Sequence, residues 1–307
     1  MIILTHRQMS FIARLMRATR LAGVLLLLEG CDAALLSPAG LVGKAERTIL
    51  LDSVAIMLAI VIPTILATLA IAWWFRASNA RAHRLPTWSY SGRIELIIWS
   101  IPALVVLFLG GIAWTGSHEL DPAQPLVSTT PPLELEVVSL DWKWLFIYPQ
   151  QGIASVNRLV VPAAVPLHLR ITSASVFNVF FVPRLGSEIY SMNGMTTQLN
   201  LQADQPGVYP GLSAHFSGDG FSDMSFDVHA VTSEQFEQWS SSTRGSGPML
   251  DDKTYRELLQ QSQNVQPYTY GSVQPGLFMS ITRQDLPPGD GPQTVQSRAI
   301  VSTQAAR

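Results

Sequence analysis

Cysteine is almost missing from this sequence: Cys31 is the single cysteine among 307 residues. One thiol cannot form a disulfide within the chain. It also cannot supply the two thiolates that a sulfur-bridged copper centre requires. The chain therefore has neither an internal disulfide framework nor a site that depends on two cysteines.

Charge is also scarce. Charged residues make up 14% of the chain and hydrophobic residues 48%, whereas a soluble domain carries about 25% charged residues. This deficit indicates segments buried in lipid. The formal net charge of −2 argues against nucleic acid as a partner, because nucleic-acid-binding proteins present a strongly basic surface.

The N-terminus has the pattern of an export signal. Four arginines within residues 1–20 precede a short apolar run at 21–28, which is too short to cross about 30 Å of hydrocarbon. The run ends at Leu28-Glu-Gly-Cys31, which resembles the lipobox of bacterial lipoproteins. The resemblance implies that residues 1–30 are a cleaved signal peptide and that Cys31 is acylated, anchoring residues 31–52 outside the membrane. The alternative is that Cys31 is an ordinary free thiol.

Two long apolar stretches follow and predict transmembrane helices at 53–75 and 94–116. The loop between them, 76–93, carries four arginines and no acidic residue. The positive-inside rule places this loop in the cytoplasm, so both ends of the hairpin face outward. The sequence therefore predicts a multi-pass protein of a bacterial inner membrane, with its main domain in the periplasm.

Glu95 lies at the cytoplasmic start of the second predicted helix. A carboxylate at the centre of a bilayer costs about 2.5–3.5 kcal/mol, and less near the surface. Two interpretations stay open at this point: an interfacial carboxylate that extends to the membrane surface, with Arg93 as a candidate partner, or an entry point for protons.

From residue 133 the hydrophobic pattern changes to a period of two, which is typical of half-buried strands. Seven short candidate strands are separated by proline and glycine, a pattern that predicts a β-sandwich or Greek-key barrel. The candidate strands are 133–140, 142–148, 157–161, 167–172, 176–182, 197–203 and 225–231. A helix is predicted at 251–261 with Asp251 or Asp252 as its cap, and 285–307 has the composition of a disordered tail.

Three segments make the sequence recognisable. They are Asp141-Trp-Lys-Trp144, the segment 181–187 and the loop from Ser213 to Met224. Together with the two spans, they resemble subunit II of the cytochrome bo-type ubiquinol oxidases, within the haem–copper oxidase superfamily. The resemblance implies a cupredoxin-like domain at 125–232 and an aromatic-rich C-terminal extension with a helix at 233–284.

Cytochrome c oxidases of this superfamily hold two copper ions in the same domain. Their ligand loop reads Cys-x-x-x-Cys-x-x-x-His-x-x-Met, with a further histidine on an earlier strand. Matched position by position, Ser213 and Ser217 replace the cysteines, Phe221 replaces the loop histidine, and Asn178 replaces the strand histidine. Met224 alone is retained, and one thioether does not hold copper. We therefore expect no metal on this chain.

Two further sets of residues need an interpretation. His215, Asp219 and His229 are close in sequence, but a turn and a strand separate them, so we expect no metal there either. Trp142 and Trp144 would point to one face of a strand and are interpreted as core residues. The alternative, an aromatic electron route as in the copper-bearing relatives, would have no copper to lead to.

The resemblance implies a complex that oxidises ubiquinol, reduces oxygen to water and pumps protons. Its haems, active-site copper and quinol site would belong to subunit I, with smaller membrane subunits and membrane lipid as further partners. This chain would have structural and proton-access roles, and Glu95 matches the family's glutamate at the mouth of a proton channel. One competing hypothesis is a copper-bearing subunit II. The other is a lipid-anchored scaffold or ligand-binding protein without a redox role.

Overall fold

The computed structural model describes residues 34–83 and 85–291. The predicted signal peptide, Cys31 and most of the predicted tail lie outside these residues. The chain divides into two compact units, Met1–Ser37 and Pro38–Arg307. Residues 34–37, the described part of the first unit, form a turn, and everything below concerns the second unit.

Two long helices open this unit: α1, Leu41–Trp74, and α2, Gly92–Glu119. Both are long and apolar enough to cross a membrane. The 34 residues of α1 extend over about 51 Å, more than the roughly 30 Å of a bilayer core. Because α1 begins well before the predicted boundary at residue 53, its first turns project beyond the apolar span and reach the outer domain.

The strands that follow form a cupredoxin-like sandwich, as predicted. The strands are β1 Leu133–Leu140, β2 Lys143–Tyr148, β3 Ile153–Val156, β4 Arg158–Pro162, β5 Leu167–Ser173, β6 Asn178–Phe181, β7 Ile189–Ser191, β8 Thr197–Leu201, β9 Gly207–Ser213 and β10 Ser225–Val231, and the later β12 is Tyr268–Tyr270. Within the described residues, one sheet has the order β12-β3-β2-β1-β5-β8 and the other β4-β10-β9-β6-β7. Parallel pairs β1–β5 and β4–β10 sit among antiparallel ones, so the chain crosses between the sheets.

Aromatic rings fill the space between the sheets. Trp144 meets Phe180 and Phe226 edge-on, with centroids 5.3 and 5.6 Å away, and Phe180 stacks on Phe226 at 4.9 Å. All three side chains are buried. Such offset and edge-on contacts add to the free energy gained from burying aromatic surface.

The C-terminal extension covers the other face of the six-stranded sheet. Its elements are α3 Ser233–Thr243, β11 Met249–Leu250, α4 Asp252–Leu258, β12 Tyr268–Tyr270, β13 Ser272–Val273 and α5 Leu277–Thr282. Asp251 caps α4 by accepting a hydrogen bond from Thr254 N–H at 2.8 Å. A second apolar cluster forms between the extension and the outward side chains of β1 and β2. Strand β1 is therefore buried on both faces at its end, rather than half-buried throughout.

The predicted tail at 285–307 is wrong for its first residues. Leu286 is buried in the second apolar cluster, and Gly289 N–H donates to Ala174 O at 2.9 Å. Residues 285–291 therefore belong to the packed extension. Their proline and glycine content suggested disorder, but Leu286 gives this segment an apolar anchor on the sheet.

The start of α1 is fixed to the sandwich by an arrangement that we call the collar. Its backbone hydrogen bonds join Ala39 N–H to Arg184 O at 2.7 Å and Gly43 N–H to Leu185 O at 3.1 Å. Side-chain contacts join Lys44 to Asp204 at 2.5 Å and Glu46 to Ser187 at 2.5 Å. Because helix and domain share backbone bonds as well as an ion pair, the collar makes α1 an integral part of the outer domain.

Candidate functional site

The loop between β9 and β10 contains the residues at the ligand positions of the copper-bearing relatives. The two strands pair antiparallel, with Leu212 opposite Ser225. Ser213 N–H donates to Met224 O at 3.1 Å and closes the loop. A short 3₁₀-helix at Phe221–Asp223 shapes its far end. The loop is therefore held in shape by hydrogen bonds of its own backbone.

Two of the predicted ligand positions meet in the interior. Ser213 Oγ donates to Asn178 Oδ1 at 2.7 Å, and both side chains are buried. In the copper-bearing pattern these positions hold a cysteine and a histidine. Here a buried hydrogen bond joins the β6 end to the loop, which satisfies two polar groups that would otherwise be costly to bury.

The remaining positions do not complete a soft-metal site. Ser217 Oγ lies 4.0 Å from Met224 Sδ, and Met224 is buried in the core. Phe221 turns toward Phe216, with ring centroids 5.7 Å apart. Hydroxyl, amide and ring groups are poor partners for copper, which prefers thiolate, imidazole and thioether ligands. The side chains at these positions therefore do not fit the two-copper centre.

The two tryptophans have different environments, so the prediction that both lie on one strand face is wrong. Trp142 lies in the turn between β1 and β2 with a φ of 67°, and its indole N–H donates to Ser217 O at 3.1 Å. A Cβ at Gly220 would collide with this indole. Trp144 lies in β2, fully buried. Both are packed in the core cluster, and Trp142 also fixes the loop.

His215, Asp219 and His229 do not converge. His215 lies edge-on to Phe177, with centroids 4.7 Å apart, whereas Asp219 is exposed in the loop. His229 lies on β10, where burial, and then the nearby Arg158, lower its pKa. Across residues 34–83 and 85–291, no three histidine, cysteine or acidic side chains are grouped as metal ligands.

Glu95 lies in the first turn of α2 and is exposed on the surface of this chain. Its backbone N–H donates to Ser91 O at 3.0 Å. Among the described side chains, no ion pair joins Glu95 to Arg93. The pairing considered from the sequence is thus not formed between these two side chains.

Sequence reasoning missed the role of the two charged residues in the motif Asp141-Trp-Lys-Trp144. Lys143 is 2% exposed, and its Nζ donates to Gln260 O at 2.7 Å and Ser262 Oγ at 2.5 Å. Asp141 accepts from Gln261 Nε2 at 3.1 Å and also bonds Ser175. Charged and aromatic residues alternate in this motif, and the two kinds of side chain have different roles. The tryptophans hold the core and the loop, while the charges hold the extension.

The buried lysine predicts a specific pH dependence of stability. Burial lowers the pKa of Lys143 to about 8, against the opposing effect of Asp141. Because the unfolded chain keeps a pKa near 10.5, the folded state binds fewer protons between these values, so stability rises with pH. Stability is therefore lost as the pH falls from about 10.5 to about 8, and below that range both states carry the proton and this dependence ends. We expect a gain of about 1 kcal/mol from pH 8 to 9.5, after allowance for water near the ammonium.

Urea unfolding of the full chain in detergent, with Lys143→Met as the comparison, measures this effect. Burial raises the pKa values of Tyr148, Tyr255 and Tyr270 in the folded protein. The pH range stops at 9.5 because above it these tyrosines ionise in the unfolded chain, which lowers the stability for a reason unrelated to Lys143. We expect the variant's stability to change less with pH. Parallel curves for the two proteins would contradict the assignment to Lys143.

Comparison with known proteins identifies both parts of the outer region. Residues 138–231 match the family described as cytochrome c oxidase subunit II, periplasmic domain. Residues 244–284 match the COX aromatic rich motif. A solved structure of the periplasmic domain of subunit II of cytochrome oxidase from Bradyrhizobium japonicum is 22% identical. It covers 38% of this chain and 96% of its own, with a TM-score of 0.36.

Full-length relatives extend the match to the membrane part. Ubiquinol oxidase subunit 2 of Acetobacter aceti is 49% identical over 271 residues, which cover 87% of this chain and 88% of the relative. Cytochrome bo(3) ubiquinol oxidase subunit 2 of Pseudomonas aeruginosa is 48% identical over 253 residues, covering 82% and 76%. These relatives give no support to a stand-alone scaffold. With about half of its residues shared along most of its length, this chain belongs to the family of ubiquinol oxidase subunit 2.

Proposed function

We propose that this chain is the copper-free second subunit of a proton-pumping ubiquinol oxidase and that it has structural and proton-access roles. The observation that carries this proposal is the buried hydrogen bond between Ser213 and Asn178. The loop retains its frame, while oxygen atoms occupy positions at which a cytochrome c oxidase needs sulfur and imidazole.

The missing ligands have a physical reason in this proposal. A quinol is dissolved in the bilayer, so its electrons enter the complex from within the membrane. A copper relay on the water-facing domain then has no electrons to carry. Haems, the active-site copper and the quinol site are assigned to the partner subunit I, and this chain supplies a rigid outer cap with two membrane helices.

The same proposal includes the location and the anchor. The four arginines of the loop at 76–93 favour a cytoplasmic loop in a bacterial inner membrane, with the sandwich in the periplasm. The segment ending at Cys31 favours signal cleavage and acylation of that cysteine. Mass spectrometry of the N-terminal peptide tests the anchor: a mass matching a lipidated Cys31 supports it, and an unprocessed Met1 refutes it.

Purification of the tagged chain from its native membrane in mild detergent tests the main proposal. We expect a large haem-bearing subunit to copurify, with oxygen uptake driven by ubiquinol and not by reduced cytochrome c. Metal analysis should show no copper beyond that of the large subunit. A preparation without haem, or one that oxidises cytochrome c, would refute it.

Glu95 provides a separate test of proton access. We expect Glu95→Gln to lower kcat about tenfold, equal to about 1.4 kcal/mol on the barrier, because the amide cannot exchange the proton that the carboxylate passes on. Haem content should not change. Glu119→Gln is the matched control, since Glu119 is also exposed but lies at the opposite end of α2. Unchanged turnover in Glu95→Gln with an intact haem spectrum would exclude the channel role.

A further inference from the structure

The two membrane helices enclose an apolar space that we call the hairpin groove, at the end of the hairpin that carries the sandwich. It has a volume of about 440 Å³ and is lined by five residues of α1 within 49–58 and three of α2 within 109–113. Apart from Ser53, the lining side chains are apolar. Ile49 closes the end nearer the sandwich, because a Cβ at Gly116 of α2 would lie 2.7 Å from Ile49 Cδ1.

The dimensions of the hairpin groove fit a single flexible hydrocarbon chain. Residues 49–58 extend over about 14 Å of helix, which gives the groove a mean cross-section of about 30 Å². A helix with its side chains is at least about 10 Å across, or roughly 80 Å² in section, and is too wide for this space. Because an acyl chain is equally well solvated by other lipids, the groove alone binds it weakly, and a stable site requires a polar anchor.

Arg47 supplies such an anchor. It is exposed, and its side chain forms no ion pair with another described residue. It precedes Val54 and Leu58 by about two and three helical turns, so the three residues share one face of α1. Val54 and Leu58 belong to the wall of the hairpin groove. The guanidinium is therefore carried on the same face as that wall, on the side toward the sandwich.

The nearby carboxylates lie on other faces. Glu46 is engaged in the collar, and Asp52 is about 140° around the helix from Arg47. Glu119 of α2 lines a separate cavity together with Val42, which is also about 140° from Arg47 around α1. Among the described residues on its own helix face, Arg47 has no acidic neighbour that would repel an anionic ligand.

The depth of Arg47 matches that of a lipid phosphate. Arg47 precedes the predicted start of the span at residue 53 by about 9 Å of helix, and lipid headgroups occupy roughly 5–8 Å outside each face of the hydrocarbon core. A long arginine side chain covers the difference while its stem stays on apolar surface. Its planar guanidinium binds phosphate oxygens through two parallel N–H donors.

We propose that the hairpin groove binds one glycerophospholipid, with an acyl chain between α1 and α2 and the phosphate on Arg47. The lipid fills the space that the two helices leave open beneath the contact of Ile49 with Gly116. This site requires only that the two helices cross a membrane, so it is independent of the redox role of the complex.

Photolabelling of the full chain in its native complex tests the site. The complex is reconstituted in vesicles of phosphatidylethanolamine and phosphatidylglycerol that contain phosphatidylethanolamine with a photoreactive acyl chain. It is then extracted in mild detergent and washed before illumination, so that only retained lipid is labelled. We expect most of the label on this chain in peptides that cover 49–58 and 109–113. Label spread evenly along both helices, as for ordinary boundary lipid, or a groove without label, as when another subunit fills it, would overturn the proposal.

Two substitutions separate the contributions of the headgroup and the acyl chain. We expect Arg47→Gln to lower labelling of the groove about tenfold, the loss expected when a hydrogen bond to a charged group is removed. Ala113→Leu should lower it by filling the groove. The matched controls are Arg256→Gln, at an exposed position of the extension, and Ala103→Leu, in α2 outside the groove, and both should label like the wild type. Undiminished labelling in Arg47→Gln or in Ala113→Leu would overturn the site.

Discussion

Phe278→Ala is expected to lower the free energy of unfolding of the outer domain by about 3–5 kcal/mol, the usual cost of deleting a buried aromatic ring. Phe278 lies in α5 and is 1% exposed. Its ring packs in the cluster between the extension and the six-stranded sheet, and the Arg170 guanidinium lies 4.9 Å from its centroid. The substitution therefore leaves a cavity and also removes the cation–π contact between Arg170 and the ring.

Thermal unfolding of the full chain in detergent, followed by near-ultraviolet circular dichroism, measures this loss. At about 2–4 °C per kcal/mol for a domain of this size, Tm should fall by about 10 °C. Phe216→Ala is the matched control, because that ring is 71% exposed and its removal should change the stability by less than about 0.5 kcal/mol. Similar Tm values for both variants would mean that the extension does not stabilise the sheet.

Gly40→Ala is expected to disrupt the collar and to cost about 2–3 kcal/mol, the upper range for overpacking. A Cβ at Gly40 would lie 2.7 Å from Leu185 O and still closer to Gln202 O. Both atoms are backbone carbonyl oxygens, so rotation of a side chain cannot relieve the clash. Relief requires the helix start to shift, and the hydrogen bond from Ala39 N–H to Arg184 O would be lost with it.

Limited proteolysis is the sensitive measurement for this change, because cleavage between the collar and the sandwich reports local opening. We expect the Gly40→Ala chain to be cut near the start of α1 under conditions that leave the wild type intact. Gly110→Ala is the control, since a Cβ at that position would have no described atom within 4 Å apart from its chain neighbours and the adjoining backbone of its own helix. Identical digestion of all three proteins would contradict a tight collar.

The elements that the sequence predicted well are those with strong local signals. Strand β1 begins and ends as the alternating pattern indicated, and the cap at Asp251 was one of two candidates. Strand β9 escaped prediction because Gly207, Pro210 and Gly211 argue against a strand. In the structure, Gly211 is required there, because the Phe226 ring occupies the space of a Cβ.

Other differences come from contacts between distant parts of the chain. Hydropathy alone placed the start of the first span at residue 53, because Asp52 interrupts the apolar run and Lys44, Glu46 and Arg47 precede it. The collar compensates for two of these charges by pairing them with the sandwich. The helix α3 could have been found, since Thr232 and Gln235 form a capping box.

At the candidate site, residue identities were predictable but their geometry was not. The sequence showed that Ser213 and Asn178 occupy former ligand positions, yet no pattern predicts that they bond to each other. Likewise, the charges of Asp141 and Lys143 were visible, but their partners near Gln261 lie about 120 positions away. Such pairings depend on the packing of the extension and cannot be read from local sequence.

The collar has a mechanical consequence. Because α1 continues from the predicted span into backbone hydrogen bonds with the sandwich, the span and the outer domain move as one lever. Transmembrane helices tilt over a range of roughly 40°, and a change of 10° in this helix would displace a point about 30 Å above its pivot by about 5 Å. A rearrangement of the helix within the bilayer would thus be amplified at the far edge of the sandwich, and a force on that edge would act on the helix.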